Sequence, residues 1–164
     1  MVDGIVSIMQ PQTKAKQQSF DVHIENIFTE NVWCDGIRLN QILLNLLSNA
    51  TKYTPEKGSI RLFISEENSP RGEDYVRLHI NVRDNGIGMS PEFLKKIYQS
   101  YSRADGTRTR KTEGAGLGMA ITKYIVDAMD GTIDVQSEPN KGTEFHIKLD
   151  FEKAPALNLS LIHI

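Results

Sequence analysis

Two asparagines with a spacing suited to ligand binding, Asn45 and Asn49, lie in a segment whose apolar residues recur at helical spacing from Ile37 to Tyr53. Residues four apart lie nearly in line on one face of a helix, so the two amides are predicted to face one spot. Amide oxygens suit magnesium, which keeps several waters and also holds substrate phosphates. The alternative is a pair of asparagines on a solvated helix face, which needs no ligand.

A second candidate group is Asp84, Gly86 and Gly88, in the sequence Asp-Asn-Gly-Ile-Gly-Met that follows a strand rich in Val, Leu and Ile. A carboxylate only accepts hydrogen bonds, so it can select the exocyclic amino group of adenine, and glycines let the backbone approach the ring. The alternative is a tight turn with a capping aspartate, since short glycine motifs are common.

A third group, Gly114, Gly116 and Gly118, opens a helix predicted to run from Leu117 to Met129. Free N–H groups and the positive end of the helix dipole at such a start bind phosphate. The alternative is a hinge with close helix packing. The stretch from Gln99 to Thr112 lacks periodicity, and loops of this length are usually functional or disordered. Its positive charge could sense a triphosphate, or could simply be solvated. The charged residues are Arg103, Arg108, Arg110 and Lys111.

The bulk composition predicts one soluble domain that needs neither disulfides nor metals for its core. The 164 residues include 39% hydrophobic and 24% charged residues with a net charge of -2, which predicts no general attraction to nucleic acid or membrane. Cys34 is the single cysteine and cannot form an internal disulfide, so we expect a reducing, cytoplasmic compartment. No apolar run approaches the roughly 20 residues that span a bilayer.

Strand and helix patterns place the three groups in a mixed fold. Alternation predicts a strand from Asp21 to Asn26 with Trp33–Asp35 as a short partner strand, and Asp35 is a good helix N-cap. A short helix is predicted from Pro91 to about Tyr98. Polar turns predict two hairpins, formed by Ser59–Glu66 with Tyr75–Arg83 and by Gly131–Glu138 with Thr143–Phe151.

The two ends of the chain fit these patterns less well. Residues 1–19 are interpreted as a helix remnant or linker, residues 20–151 as the domain, and residues 152–164 as a tail. For the apolar end from Leu157 to Ile164, the alternatives are an extra edge strand and a non-native tail, and we favour the tail.

The order and spacing of the motifs resemble the N box, first glycine box, ATP lid and second glycine box of the GHKL superfamily. Within it the chain resembles the sensor histidine kinases, because residues 38–55 and Gly142-Thr143-Glu144-Phe145 are close to the usual sequences of these motifs in that family. The similarity covers about Asp21 to Asp150. It implies a Bergerat fold, a two-layer α/β sandwich with a mixed, mostly antiparallel sheet on about three helices, and nucleotide between helices and lid.

The resemblance also implies roles for individual residues. Asn49 would hold magnesium with Asn45 beside it, Lys52 would reach phosphate, and Tyr53 would lie against adenine, whose amino group Asp84 would bind. Gly86 and Gly88 would shape the purine pocket, and the second glycine box would cradle the phosphates beneath the lid. The remaining implied catalytic or nucleotide-binding residues are Arg103, Arg108, Arg110, Gly114, Gly116, Leu117, Gly118 and Thr143.

One box departs from the family pattern. Where the family usually has Phe-x-Pro-Phe-x-Arg, this chain has Tyr98, Ser100, Tyr101 and Arg103, so two aromatic residues are kept and the proline is lost. Because the proline is absent, the resemblance does not predict the position at which the lid hinges.

The residue at position 45 separates kinase from hydrolase within the superfamily. Relatives that hydrolyse ATP carry a glutamate four residues before the magnesium asparagine, and this chain has Asn45, whose amide is no general base. The resemblance therefore implies transfer of phosphate from Mg-ATP to a histidine, with a response regulator downstream and a parent protein that could be anchored in the inner membrane. The alternatives are an anti-sigma-type serine kinase, a GHKL ATPase and a nucleotide-binding module without catalysis.

The acceptor histidine of such kinases is usually followed by Glu or Asp on a separate helical hairpin. The four histidines of this chain are each followed by isoleucine and are interpreted as structural or surface residues. The phosphoacceptor domain is thus predicted to lie outside these residues, and residues 1–19 could be the end of its last helix. The four are His23, His79, His146 and His163.

Overall fold

The computed structural model describes residues 1–99, 113–155 and 162–163, with the backbone alone at 113–117 and 162–163. Helices and strands are interspersed along the described chain. They are α1 (Val2–Ala15), β1 (Ser19–Glu25), β2 (Asn31–Trp33), α2 (Gly36–Tyr53), β3 (Ser59–Asn68), β4 (Tyr75–Asp84), α3 (Pro91–Leu94), α4 (Glu113–Ala128), β5 (Thr132–Glu138), β6 (Gly142–Lys153) and β7 (Ile162–His163).

Within the described ranges the strands form one sheet in the order β1-β3-β4-β6-β2-β7, with β5 also paired to β6. The β1–β3 pair is parallel, and the remaining pairs are antiparallel. Both predicted hairpins are present, as β3–β4 and β5–β6. The predicted two-layer α/β sandwich with a mixed, mostly antiparallel sheet is confirmed.

The pairing of the first strand differs from the prediction. Trp33–Asp35 was expected to partner Asp21–Asn26, but β2 pairs with β6 and β7, while β1 runs parallel to β3. The chain between β1 and β3 contains α2, and a helical crossover of this kind is what a parallel pair requires. A sequence read strand by strand favours the nearest partner, so this non-local pairing was missed.

Two helices also have other bounds than predicted. The helix expected from Pro91 to about Tyr98 is helical only over Pro91–Leu94. The helix expected from Leu117 begins at Glu113, so the three glycines of the last motif lie within its first turns rather than before it. Ile162–His163, in the predicted tail, forms a short strand against β2.

The core lies between α2 and one face of the sheet. Asp35 caps α2 by accepting a hydrogen bond from the Arg38 amide at 3.2 Å, as predicted. Helix α1 adds Ile5 and Met9, both almost completely buried. No helix in the described ranges is long and apolar enough to cross a bilayer. The buried side chains of α2 and the sheet include Leu39, Ile42, Leu43, Leu46, Leu47, Ile60, Leu62, Ile64, Leu78, Ile80, Val82, Ile147 and Leu149.

Candidate functional site

A cavity of about 300 Å³ opens beside the C-terminal half of α2. It brings together five residues that the sequence singles out: Asn49, Tyr53, Asp84, Gly88 and Thr143. Most of its remaining wall is apolar, which suits a flat ring held by few polar groups. The other lining residues are Ala50, Ile87, Met89, Ser90, Phe93, Ile97, Met119 and Phe145.

Helix α2 supplies one wall of the cavity. Asn49 and Tyr53 are four residues apart and line the cavity together, while Ala50 packs into the core behind them. Burial raises the pKa of the Tyr53 phenol, so this side chain is a neutral, largely apolar surface at pH 7. The Asn49 carboxamide makes no hydrogen bond to any described residue and remains available to a ligand.

Asn45 occupies the same helix face but has another partner. Its amide nitrogen donates to the Thr122 hydroxyl at 3.3 Å and lies 3.5 Å from the Gly118 carbonyl oxygen, so it joins α2 to α4. Asn45 does not line the cavity. The two amides share a helix face, as predicted, but they do not reach the same cavity, because α4 binds the amide of Asn45.

Lys52 lies at the edge of this wall. Its side chain is exposed, and Nζ lies 5.4 Å from the centre of the Tyr53 ring, a cation–π distance. Lys52 is not among the residues that line the cavity. The ammonium group therefore lies near the aromatic ring that lines the cavity, at the edge of the cavity rather than in its wall.

The turn after β4 forms the second wall. Asp84 lies at the end of β4, opposite Thr143 of β6, and is partly buried. Burial raises the pKa of the Asp84 carboxyl, while hydrogen bonds from the backbone amides of Gly86 and Thr143 oppose that rise. The Gly86 bond spans 2.8 Å to Oδ1. These two amides fix the carboxylate in place as a hydrogen-bond acceptor.

Two glycines of this turn are required by close backbone contacts. A Cβ atom at Gly86 would collide with the Tyr53 carbonyl oxygen, and one at Gly88 would collide with the Glu138 carbonyl oxygen. Gly88 also has a φ of +68°, a conformation that glycine adopts without strain. The Ile87 amide donates to the Tyr53 carbonyl at 3.1 Å, which ties the turn to the end of α2.

The β5–β6 turn supports the other side of the Asp84 turn. The Met89 amide donates to the Ser137 hydroxyl at 2.9 Å, and the Asn140 amide donates to the Ile87 carbonyl at 2.7 Å. Ser137 also lies 2.8 Å, oxygen to oxygen, from the hydroxyl of the buried Thr143. Thr143 therefore reaches the cavity from a rigid, hydrogen-bonded support.

The second glycine group starts α4. Gly114 and Gly116 belong to its first turns, and a Cβ atom at Gly118 would meet no atom of the described residues within 4 Å. For Leu117 only the backbone is described. Arg103, Arg108 and Arg110 lie outside the described residues, as do Ser100 and Tyr101 of the lid box.

Residues 34–153 match the family model described as histidine kinase-, DNA gyrase B-, and HSP90-like ATPase. The chain belongs to this family. Its relatives include the autoinducer 2 sensor kinase/phosphatase LuxQ of Vibrio vulnificus (strain YJ016), 38% identical over 152 residues that cover 93% of this chain and 18% of LuxQ. Sensor histidine kinase GacS of Pseudomonas protegens is 37% identical over 155 residues, or 93% of this chain and 16% of GacS. The chain thus spans less than a fifth of these relatives.

Solved structures with the same fold include one in complex with a nucleotide analogue and the catalytic domain of a histidine kinase. Full-length ShkA in complex with AMPPNP aligns with a TM-score of 0.74 at 29% identity, over 94% of this chain and 30% of ShkA. The catalytic domain of histidine kinase ThkA aligns with a TM-score of 0.73 over 94% of this chain and 92% of that domain, and its 22% identity supports the fold alone. The predicted resemblance to the ATP-binding domain of sensor histidine kinases is confirmed.

Several residues of this family site were not predicted from the sequence. Thr122 is completely buried, and its hydroxyl donates to the Gly118 carbonyl at 2.8 Å while accepting from Asn45. The pattern that could have predicted a role for Thr122 is a polar residue on the apolar side of a helix, one turn after Gly118. The apolar wall had no signal beyond hydrophobicity, although Phe145 belongs to a motif already noted. Its unpredicted members are Met89, Phe93, Ile97 and Met119.

The chemistry of the lining residues fits magnesium only together with a nucleotide. The described residues contain no group of three or more His, Cys, Asp and Glu side chains placed to hold a metal. A single unengaged amide oxygen at Asn49 is a weak site by itself. Combined with phosphate oxygens and water it would complete a coordination sphere of the type that magnesium prefers.

Proposed function

We propose that this chain binds Mg-ATP in the cavity beside α2 and donates the γ-phosphoryl group to a histidine on a separate phosphoacceptor domain. The observation that carries the proposal is the convergence of Asn49, Tyr53 and Asp84 on one cavity with apolar walls. These three residues come from two elements that are distant in sequence and are joined by the hydrogen bond between Ile87 and the Tyr53 carbonyl.

Adenine would occupy the end of the cavity near Asp84. The carboxylate can accept a hydrogen bond from the exocyclic amino group and cannot donate to the carbonyl that guanine has there. Tyr53 and the apolar wall, including Met89 and Phe93, would cover the faces of the ring. Gly88 would meet the ring with its backbone alone, because a side chain there would run into the Glu138 carbonyl.

The phosphates would extend toward α4. Asn49 would hold magnesium, which neutralises charge on the phosphate oxygens when it is bound. The first turn of α4, with Gly114 and Gly116, would supply backbone N–H groups to the phosphates, and Gly118 follows in the next turn. Lys52 and the arginines of the lid, Arg103 among them, are proposed to complete the phosphate contacts.

Transfer to an acceptor is favoured over hydrolysis because no described residue that lines the cavity is placed as a general base beside Asn49. Of the described residues that line the cavity, the titratable ones are Tyr53, whose pKa is raised by burial, and Asp84, which is held by backbone amides at the adenine end. Asn45 is an amide engaged by α4. Water would therefore be activated poorly, and the phosphoryl group would be kept for another acceptor.

The acceptor histidine is proposed to belong to another domain of the parent protein. Among the described histidine side chains, His79 and His146 contact each other at 2.9 Å on the sheet and are remote from the cavity lining, and His23 lies on β1. We propose that residues 20–151 form the nucleotide-binding domain, that residues 1–19 continue from the phosphoacceptor domain, and that residues 152–164 are a tail. A response regulator would receive the phosphate, in the cytoplasm.

Calorimetry and phosphoryl transfer together test the proposal. The chain should bind ATP in the presence of magnesium, and Asn49→Ala should lose the magnesium-dependent part of the affinity. Ser48→Ala, on the exposed face of the same helix turn, is the matched control and should bind like the unaltered chain. With a purified phosphoacceptor domain of a related sensor kinase and labelled ATP, we expect acid-labile phosphate on that domain.

Three results would overturn the proposal. The absence of any heat on adding ATP with magnesium would show that the chain does not bind the nucleotide. Rapid steady-state hydrolysis that Asn49→Ala abolishes would instead place the chain with the ATP-hydrolysing members of the family. Acid-stable phosphate on a serine of a partner protein would favour the serine-kinase alternative.

A further inference from the structure

The carboxyl end of α2 is held by side chains from the connector between α1 and β1. The last carbonyl groups of a helix have no partner within the helix and must be satisfied from outside. The Lys16 ammonium group donates to the carbonyl oxygens of Thr51 at 2.8 Å, Lys52 at 3.3 Å and Thr54 at 2.7 Å. An ammonium group has three donors, so all three are used here.

Gln18 reinforces the same contact. Its side-chain NH₂ group donates to the carbonyl oxygens of Thr51 at 3.0 Å and Thr54 at 2.7 Å, so both of its hydrogens are used as well. Gln18 is buried. A positive charge at a helix C-terminus also interacts favourably with the helix dipole. We call Lys16 and Gln18 the connector clamp.

The one remaining carbonyl of this turn, that of Tyr53, accepts the Ile87 amide at 3.1 Å. A single helical turn therefore binds the connector clamp on one side and the Asp84 turn on the other. Tyr53 itself lines the cavity, and a Cβ at Gly86 would collide with its carbonyl. A shift of this turn by a fraction of an ångström must therefore change the cavity wall.

The connector is also fixed to the elements before and after it. The Gln18 amide donates to the Thr13 carbonyl of α1 at 2.9 Å, and the Lys57 amide donates to the Lys16 carbonyl at 3.1 Å. Helix α1 is anchored in the core by Ile5 and Met9. A displacement of α1 relative to the sheet would therefore be passed to the connector clamp rather than absorbed by a free loop.

We propose that Lys16 and Gln18 are positioning residues that set the wall of the nucleotide cavity formed by Tyr53 and Ile87 and thereby couple the position of α1 to nucleotide affinity. This inference rests on the proposed nucleotide binding. Neither residue lines the cavity, so both act through the carbonyls of α2.

The test uses the whole 164-residue chain and two separate readouts. Lys16→Met keeps most of the length of the side chain and removes its donors. Lys14→Met, at an exposed lysine in the last turn of α1, is the matched control. In the nucleotide-free protein, amide NMR signals of Gly86 and Ile87 should shift in Lys16→Met and stay in place in Lys14→Met. By calorimetry, Lys16→Met should weaken ATP and ADP binding by the same factor, about three- to tenfold.

Further variants separate positioning from loss of stability. Lys16→Arg, which restores donors to the carbonyls, should recover most of the affinity. Ser69→Ala, which removes a hydrogen bond to Asp150 far from the cavity, should lower stability without changing affinity. Unchanged Gly86 and Ile87 signals, or an unchanged affinity in a folded Lys16→Met chain, would overturn the inference. If the unaltered chain binds no nucleotide, the proposed function fails instead, and the NMR readout still decides whether the connector clamp positions the turn.

Discussion

Asn45 of α2 and Thr122 of α4 are joined by a hydrogen bond of 3.3 Å, although 77 positions separate them in the sequence. Thr122 in turn donates to the Gly118 carbonyl one turn earlier in its own helix. The hydrogen bond therefore sets the distance between the helix that carries Asn49 and the helix start that carries the glycines. An amide at position 45 makes this contact as a donor, which a carboxylate could not do.

Asn45→Leu tests this contact, because leucine has a similar size and no donor. We expect the free energy of unfolding to fall by about 1 kcal/mol, the usual contribution of a neutral hydrogen bond, since the Thr122 hydroxyl keeps its Gly118 partner. Urea denaturation followed by circular dichroism measures it. Gln41→Leu, one turn earlier on the exposed surface of α2, is the control and should change stability little. Equal losses in the two variants would contradict a specific role for the Asn45–Thr122 bond.

Gly88→Ala should destabilise the fold by at least about 2 kcal/mol, because the residue has positive φ and the added Cβ meets the Glu138 carbonyl. Gly4→Ala provides a comparison in which the free energy of unfolding should change in the opposite direction. Gly4 lies in α1 with nothing within 4 Å of a Cβ, so alanine there should stabilise the chain by up to about 1 kcal/mol. Thermal and urea unfolding of both variants give the two differences. A Gly88→Ala chain as stable as the unaltered protein would show that the turn can relax.

The parts of this structure that the sequence predicts well depend on residues close together in the chain. The helical spacing from Leu39 to Ala50 predicts α2, and Asp35 predicts its start within one residue. The alternation of β3 and β4, separated by a polar turn, predicts their pairing. The motif at Asp84 predicts a turn that meets α2, because its resemblance to a known family carries tertiary information that no local pattern contains.

The parts that were not predicted depend on contacts between distant segments. β1 pairs with β3 across an intervening helix, and β2 has only three residues, so neither partner can be read from alternation. Lys16 gives no sign in sequence that its ammonium group reaches carbonyls at residues 51–54. The Thr122 hydroxyl accepts a hydrogen bond from Asn45 of another helix. Hydrogen bonds of this kind follow from packing and become visible only with coordinates.

The stability of the sheet should depend on pH through His146. Burial first, and then the charges of His79 and Lys148, lower the pKa of His146, although Asp134 and Glu144 oppose the shift. The folded state therefore binds a proton less readily than the unfolded chain, in which histidine titrates near pH 6.5. The stabilisation is present above that pH and is lost as the pH falls below it.

His146→Gln isolates this contribution. Between pH 7.5 and pH 5.5 the unaltered chain should lose more unfolding free energy than the variant, because glutamine does not titrate. Urea titrations at several pH values measure the difference. His23→Gln, which replaces a histidine on the exposed β1 strand, is the control and should follow the unaltered chain. Parallel pH profiles for His146→Gln and the unaltered chain would contradict the assignment.

Asp84→Asn should remove the selectivity for adenine. The carboxylate accepts from the Gly86 and Thr143 amides and lines the cavity, so we expect the amide variant to bind ATP about tenfold or more weakly, the effect of losing a hydrogen bond to a charged acceptor. Its amide can donate to the carbonyl of guanine, so affinity for GTP should fall less or rise. Calorimetry with both nucleotides in the presence of magnesium gives the ratio.

The same carboxyl makes the affinity of the unaltered chain depend on pH. Because burial raises the pKa of Asp84 above its ordinary value, protonation begins at a higher pH than for an exposed aspartate, and the protonated form accepts less well. ATP affinity should therefore decrease as the pH falls toward that pKa. Bound ATP should in turn lower the pKa of Asp84. Asp84→Asn should lack this pH dependence. The exposed Asp21→Asn is the control and should retain it. An identical pH dependence in Asp84→Asn and the unaltered chain would assign the titration to the phosphates of the nucleotide instead.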